Sequence, residues 1–188
     1  VCSSGSQQLS HELTLIHAVL QPDLLAYFNR GNALDDKGDH DAAIADYTAS
    51  IKLKPDMASL ATGSVNFATI IYENHPDLIR ELAQKMLDHN VKPEIEVFDL
   101  SMLYQALRLA DEGVLKKPLH VQFVMGVRNA MPVVRQAFDF MVDEVTRLSP
   151  DSTWVAAGIG KHQLEVNRWC LERGGHCRTG LEDNIRWD

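Results

Sequence analysis

The stretch VKPEIEVFDLSMLYQALRLADEGVLKKPLHVQFVM, residues 91–125, decides the fold. It reads as a strand, a helix and a second strand. PEIEVFD (93–99) alternates with period two, so Glu94 and Glu96 share one face while Ile95 and Val97 share the other. A helix over 100–112 follows, with Leu100, Leu103, Leu107 and Ala110 in one stripe and Gly113 just past its end. LHVQFVMG (119–126) is then an apolar run of the kind that fills a parallel sheet.

The same alternation continues on both sides. MASLAT (57–62) precedes a helix over 76–89 striped by Leu78, Leu82 and Met86. Downstream come a helix over 135–148 (Phe138, Met141, Val145, Leu148), the strand TWVAAGIG (153–160), a helix over 161–173 and a last strand, HCRTGLED (176–183). Pro76 suits a helix start, and Asn90 and Gly174 suit helix ends. Five strands interleaved with four helices predict an α/β chain with a parallel sheet built from βα units. That order leaves open whether the sheet closes.

Upstream of Met57 the period differs. Residues 1–23 open on a small polar run, with a short helix predicted around 11–20. Residues 24–56 read as two short helices around a turn at Asp35–Asp39, with Leu24, Phe28 and Gly31 on one face and Ile44, Tyr47 and Ile51 on the other helix. Gly31, Ala43, Tyr47 and Pro55 stand at the spacings of a tetratricopeptide (TPR) repeat, though Tyr27, Arg30 and Ser50 depart from its preferences. A single repeat cannot bury its own apolar face, so it either follows other repeats or packs on the α/β part.

The 188 residues carry 18 Lys+Arg against 26 Asp+Glu, a net charge of −8. That balance argues against nucleic-acid or anionic-membrane partners, which need clustered positive charge. The three scattered cysteines, Cys2, Cys170 and Cys177, form no disulfide framework and fit a reducing cytoplasm. The apolar run Leu13–Leu20 is interrupted by His17 and lacks a basic flank, so neither a signal peptide nor a membrane span is expected. The chain starts at Val1, which points to sequence upstream. A complete (β/α)8 barrel takes about 250 residues, more than this chain has.

Chemistry in such sheets collects at the carboxyl ends of strands. In the last strand a period of two puts Arg178, Gly180 and Glu182 on one face, with Asp183 and Asn184 following. The alternative is an edge strand with a solvated Arg–Glu pair. Glu94 and Glu96, if turned toward a core, must pair with cations, bind metal or hold a proton; the alternative is a solvent-facing edge. Glu96 lies nearer the strand's carboxyl end. Ser59 and Thr62 end a strand in hydroxyls, and Gly158–Lys161 leads into a helix start that can receive a phosphate. The eight histidines show no H-x-H or HExxH spacing; His162, after the glycine loop, is the one kept as a contact. Trp154, Trp169 and Trp187 read as core or interface.

In this order KPDMASLATGSVNF, VKPEIEVFDLSMLYQALRL, PLHVQFVMGV, TWVAAGIG and RTGLEDN closely resemble the β-keto acid cleavage enzymes, from about Lys54 to the C-terminus. The resemblance implies a zinc-dependent (β/α)8 enzyme converting a β-keto acid and acetyl-CoA to acetoacetate and a new acyl-CoA, and a homo-oligomer. It places a zinc-binding Glu on Glu182, an orienting Arg on Arg178, the base on Asp183 and a further catalytic carboxylate on Glu96. A hydroxyl of the MASLAT segment, Thr62 or Ser59, would hold substrate. Zinc would polarise the keto group while the base drives condensation and cleavage.

The family's other zinc ligands form an H-x-H motif on an early strand, and this chain has none. The TPR-like stretch occupies that place, so the chain reads as the carboxyl-terminal five-eighths of the barrel behind a helical hairpin. Full activity is therefore not expected from it alone. The alternative is a TPR-type module for a peptide partner with a non-catalytic barrel remnant. One Glu falls short of the three protein ligands usual for catalytic zinc. Metal analysis of the purified chain is expected to show far less than one tightly bound zinc per chain; stoichiometric zinc would overturn this.

Overall fold

The five β-type runs of the sequence pair side by side and in parallel. The computed structural model describes residues 26–27, 30–31, 33–34, 37–53, 55–181 and 183–185. The expectations for 1–23, for Leu24 and Phe28, for Trp187 and for Glu182 lie outside the described residues. The strands are β1 (Met57–Ala61), β2 (Val65–Asn66), β3 (Ile71–Tyr72), β4 (Lys92–Val97), β5 (His120–Met125), β6 (Thr153–Gly158) and β7 (His176–Cys177). The helices are α1 (His40–Lys52), α2 (Pro76–Asp88), α3 (Leu100–Asp111), α4 (Arg135–Leu148) and α5 (Gln163–Glu172). None of them is long and apolar enough to cross a membrane.

The main sheet has the order β1-β4-β5-β6-β7, so each βα unit adds its strand beside the last. Its register sets side chains in rows. Ser59, Glu94, His120 and Thr153 form one row, and Ala61, Glu96, Gln122, Val155 and His176 form the next toward the carboxyl ends. Cα partners in a parallel sheet point to the same side, so both rows share one face. The other face carries Ile95, Val97, Val121, Phe123, Trp154 and Ala156, all buried. The core that these residues share with the helices includes Met102, Leu103, Phe138 and Met141. Phe123, Trp154, Phe138 and Trp169 run through it in tilted and edge-on ring contacts at centroid distances of 5.8, 5.8 and 5.6 Å.

Local chemistry places the helices. Pro76 opens α2, and the Asp99 carboxylate accepts from the Met102 amide to cap α3 at 3.1 Å. Gly113, at φ +78°, ends α3 in the left-handed region. Ahead of α1, residues 26–27, 30–31 and 33–34 are helical and 37–38 form a turn. Gly31 lies under the Tyr47 ring, where an added Cβ would stand 2.6 Å from a ring carbon. Arg30 grips Asp46 through two contacts of 2.5 and 2.7 Å.

Four features differ from the sequence reading. The last strand ends at Cys177, with one further ladder bond from the Arg178 amide to Ala156. The chain then turns, with the Asp183 and Asn184 amides both donating to the Gly180 carbonyl, so no strand face aligns Arg178 with Gly180. The cause is tertiary: the Gly160 amide takes the Asp183 carbonyl at 2.7 Å and folds the segment over the end of β6. A short β2–β3 hairpin interrupts the β1-to-α2 connection, and two residue pairs per hairpin are too few for a period-two signal. The helix over 161–173 starts with a 3-10 turn at Gly160–His162. In α2, Ile79, Ala83 and Met86 are buried, while Leu78 and Leu82 stay half-buried.

Gly158 is fixed by contact rather than conformation. A Cβ there would lie 2.4 Å from the His162 carbonyl oxygen and 2.8 Å from Val166. Backbone cannot yield as a side chain does. Gly158→Ala is expected to destabilise the fold by about 1–3 kcal/mol, read by urea denaturation; unchanged stability would show that this turn tolerates expansion.

Candidate active site

The two side-chain rows face a cleft of about 1070 Å³. Phe67, Tyr72 and Phe98 form an aromatic wall, with Phe67 and Tyr72 stacked at 5.6 Å. Tyr47 and Ser50 of α1 and Leu78 and Leu82 of α2 line it too, so the helical segment borders the cleft rather than standing apart.

Arg178 is the hub. Its Nε and Nη2 donate to the two carboxylate oxygens of Asp183 at 3.1 and 3.0 Å, a fork-to-fork pairing. Its Nη1 reaches Glu96 Oε1 at 3.4 Å and also donates to Gln122 Oε1. The Asp183 side chain is 2% exposed, Glu96 16% and Arg178 22%. A carboxylate this buried stays ionised only beside a cation, and the guanidinium supplies it. The Asp183 backbone is held as well, through its carbonyl and Gly160. Two carboxylates, one amide and one guanidinium thus converge at the carboxyl end of the sheet. Such a group can hold an anionic substrate and offer Asp183 as a base.

The lower row satisfies itself. Ser59 Oγ donates to Glu94 Oε2 at 3.4 Å, His120 Nε2 lies 3.8 Å from Glu94 Oε1, and His120 Nδ1 meets Thr153 Oγ1 at 2.7 Å. Burial pushes the His120 pKa down, against the opposing pull of Glu94. His120 is bonded within this row, and His162 sits 3.6 Å from Glu165 and outside the cleft lining.

Of the residues singled out from sequence, Arg178, Asp183 and Glu96 come together. Ser59 lines the cleft one row lower. Thr62 does not line it: its hydroxyl, buried, donates to the Met102 carbonyl at 2.8 Å. The Gly160 amide, offered as part of a phosphate site, is spent on Asp183. Sequence reasoning missed Gln122, whose signal was a lone amide inside the apolar run LHVQFVMG. Among the described residues no three His, Cys, Asp or Glu side chains converge as metal ligands. Asp183 and Glu96 are engaged by Arg178, so the described donors do not fit a zinc ion.

A family model described as beta-keto acid cleavage enzyme matches residues 4–188, further toward the N-terminus than the motifs from Lys54 onward. The chain is 58% identical over 138 residues to a 3-oxoadipate:acetyl-CoA acetyltransferase of Cupriavidus necator, covering 73% of this chain and 49% of that protein. It is 37% identical over 138 residues to a 3-keto-5-aminohexanoate cleavage enzyme of Fusobacterium nucleatum, with the same coverage of 73% and 49%. It therefore spans about half the length of the curated relatives it matches. Among solved structures, a ternary complex of ObcA with a C4-CoA adduct and oxalate superposes at a TM-score of 0.60 and 21% identity, over 70% of this chain and 36% of that one. The likeness extends to fold: the five-stranded sheet is part of a (β/α)8 barrel.

Removing the cation tests the hub. Arg178→Met is expected to destabilise the fold by about 3–5 kcal/mol by leaving a buried charge unpaired. Adding Asp183→Asn should recover part of that loss, because no buried carboxylate remains. Thermal and urea denaturation of the two variants would show this; an additive double variant would place the energy elsewhere.

Proposed function

The chain belongs to the β-keto acid cleavage enzyme family, and from that premise we propose that its cleft carries out acetyl-CoA-dependent cleavage of a β-keto acid, yielding acetoacetate and an acyl-CoA. The observation that carries this reading is the Arg178–Asp183 pair: a buried carboxylate, held at both oxygens, at the carboxyl end of a barrel sheet. Asp183 takes a proton from the carbon between the keto and carboxylate groups. The resulting carbanion attacks the thioester carbonyl of acetyl-CoA, a C–C bond forms and coenzyme A thiolate leaves. That thiolate adds to the former keto carbon, the older C–C bond breaks, and acetoacetate departs with the proton returned by Asp183. Glu96 and Arg178 hold the base in place, and Arg178 offsets the negative charge that accumulates.

The zinc implied by the family would polarise the keto oxygen when bound; the described side chains provide no ligand set for it. Glu182 and any donor upstream would have to complete one. Ser59 and Thr62 differ as substrate contacts: Ser59 faces the cleft, while Thr62 acts through Met102 and α3. The open outer edges of β1 and β7, without a strand partner among the described residues, underlie the expected homo-oligomer. The second reading, a peptide-docking repeat, draws on Gly31 packed under Tyr47.

The test is an assay of the full chain with acetyl-CoA and a β-keto acid panel led by 3-oxoadipate, because a 58% identical relative is named for it. Products are read as acyl-CoA by mass spectrometry, beside the full-length C. necator relative. Turnover well below that relative is expected, and Asp183→Asn should lower it by roughly 10²- to 10⁴-fold. No acyl-CoA product from any acid, or equal turnover by the variant, would sink this reading. Peptide capture without turnover would favour the repeat.

A further inference from the structure

We propose that Gln122 is a substrate-binding residue of this cleft, its side-chain Nε2 donating a hydrogen bond to a carboxylate or keto oxygen of the bound β-keto acid; the ligand's identity rests on the cleavage reading above. Gln122 stands in the middle of β5, with a strand on either side, and is fully buried. Glutamine is rarely enclosed so completely, and a position between Val121 and Phe123 would take a methionine or leucine at lower cost.

The orientation of its amide is determined. Arg178 Nη1 donates to the Gln122 side chain, and a guanidinium has no acceptor, so the end facing it must be Oε1. Nε2 is therefore the other end. That atom is buried and has no partner among the described residues, the only buried side-chain donor there of which this is true. Its row neighbour Val155 and the next residue up its strand face, Val124, are apolar and line the same cleft. A buried donor without an acceptor is costly, which is expected of a group whose acceptor arrives with the ligand. The acceptor must be an oxygen near Arg178, and a β-keto acid brings both a carboxylate and a keto oxygen. A glutamine donor there favours such oxygens over an ammonium group or any other donor.

The experiment titrates acetoacetate into the full wild-type chain and into Gln122→Met and Gln122→Glu. Binding is read by calorimetry, and the Gln122 side-chain amide by ¹⁵N NMR, assigned as the pair of resonances missing from Gln122→Glu. Methionine keeps the shape and removes the donor; glutamate keeps an acceptor for Arg178 and removes the donor. Both variants are expected to bind about 10- to 100-fold more weakly, and the wild-type amide pair to shift on titration. Equal binding by the variants, an unmoved amide pair, or no binding by wild type would each overturn the assignment. Should both variants fail to fold, the wild-type amide shift alone decides. The acyl-CoA assay on the same wild-type sample judges the cleavage reading separately, since turnover with an unmoved Gln122 amide removes only the Gln122 role.

Discussion

A carboxylate that is 2% exposed has to be paired, and the pairing of Asp183 with Arg178 constrains much of the structure. Arg178 can reach Asp183 only because the chain leaves the sheet just after Cys177 and turns at Gly180. It reaches Glu96 and Gln122 only because β4 and β5 are in a register that sets those two side chains in one row. The Gly160 amide, drawn from the loop after β6, then anchors the Asp183 backbone. Side chains from two strands and from the segment after β7 thus meet at one guanidinium, and the loop after β6 fixes the backbone of that segment. Displacing any of these elements would strand a charge in a low-dielectric setting, which is why the geometry is over-determined.

The elements were largely legible in the sequence because they are set by short-range periods. Alternation in PEIEVFD correctly separated Glu94 and Glu96 from Ile95 and Val97, and the 135–148 helix matches to the residue. Arg178 and Glu96 stand out from period two and strand position, the resemblance adds roles for them and for Asp183, and the three converge. What was not legible depends on contacts distant in sequence. The early end of the last strand follows from the bond between the Gly160 amide and the Asp183 carbonyl, more than twenty residues apart in sequence. The hydroxyl of Thr62 looks available in a loop-like MASLAT end, yet α3 offers it the Met102 carbonyl. Gln122 was hidden because an apolar run with one amide reads as a buried strand, and nothing local says which face that amide occupies.

The two polar rows illustrate how one sheet face divides its work. In the lower row Ser59 donates to Glu94, His120 is hydrogen-bonded to Thr153, and the other His120 nitrogen lies 3.8 Å from Glu94, so these polar groups partner one another. In the upper row Ala61 and Val155 contribute no polar group at either side of Glu96 and Gln122. Glu96 and Gln122 are both bound to a cation entering from beyond the strand ends, and one Gln122 donor is left over among the described residues. A self-satisfied layer gains little from a ligand, whereas an incompletely satisfied layer gains a hydrogen bond from the right one. The asymmetry is what a ligand site at the carboxyl ends of the strands would require. It agrees with the general location of chemistry in barrel sheets without borrowing from it.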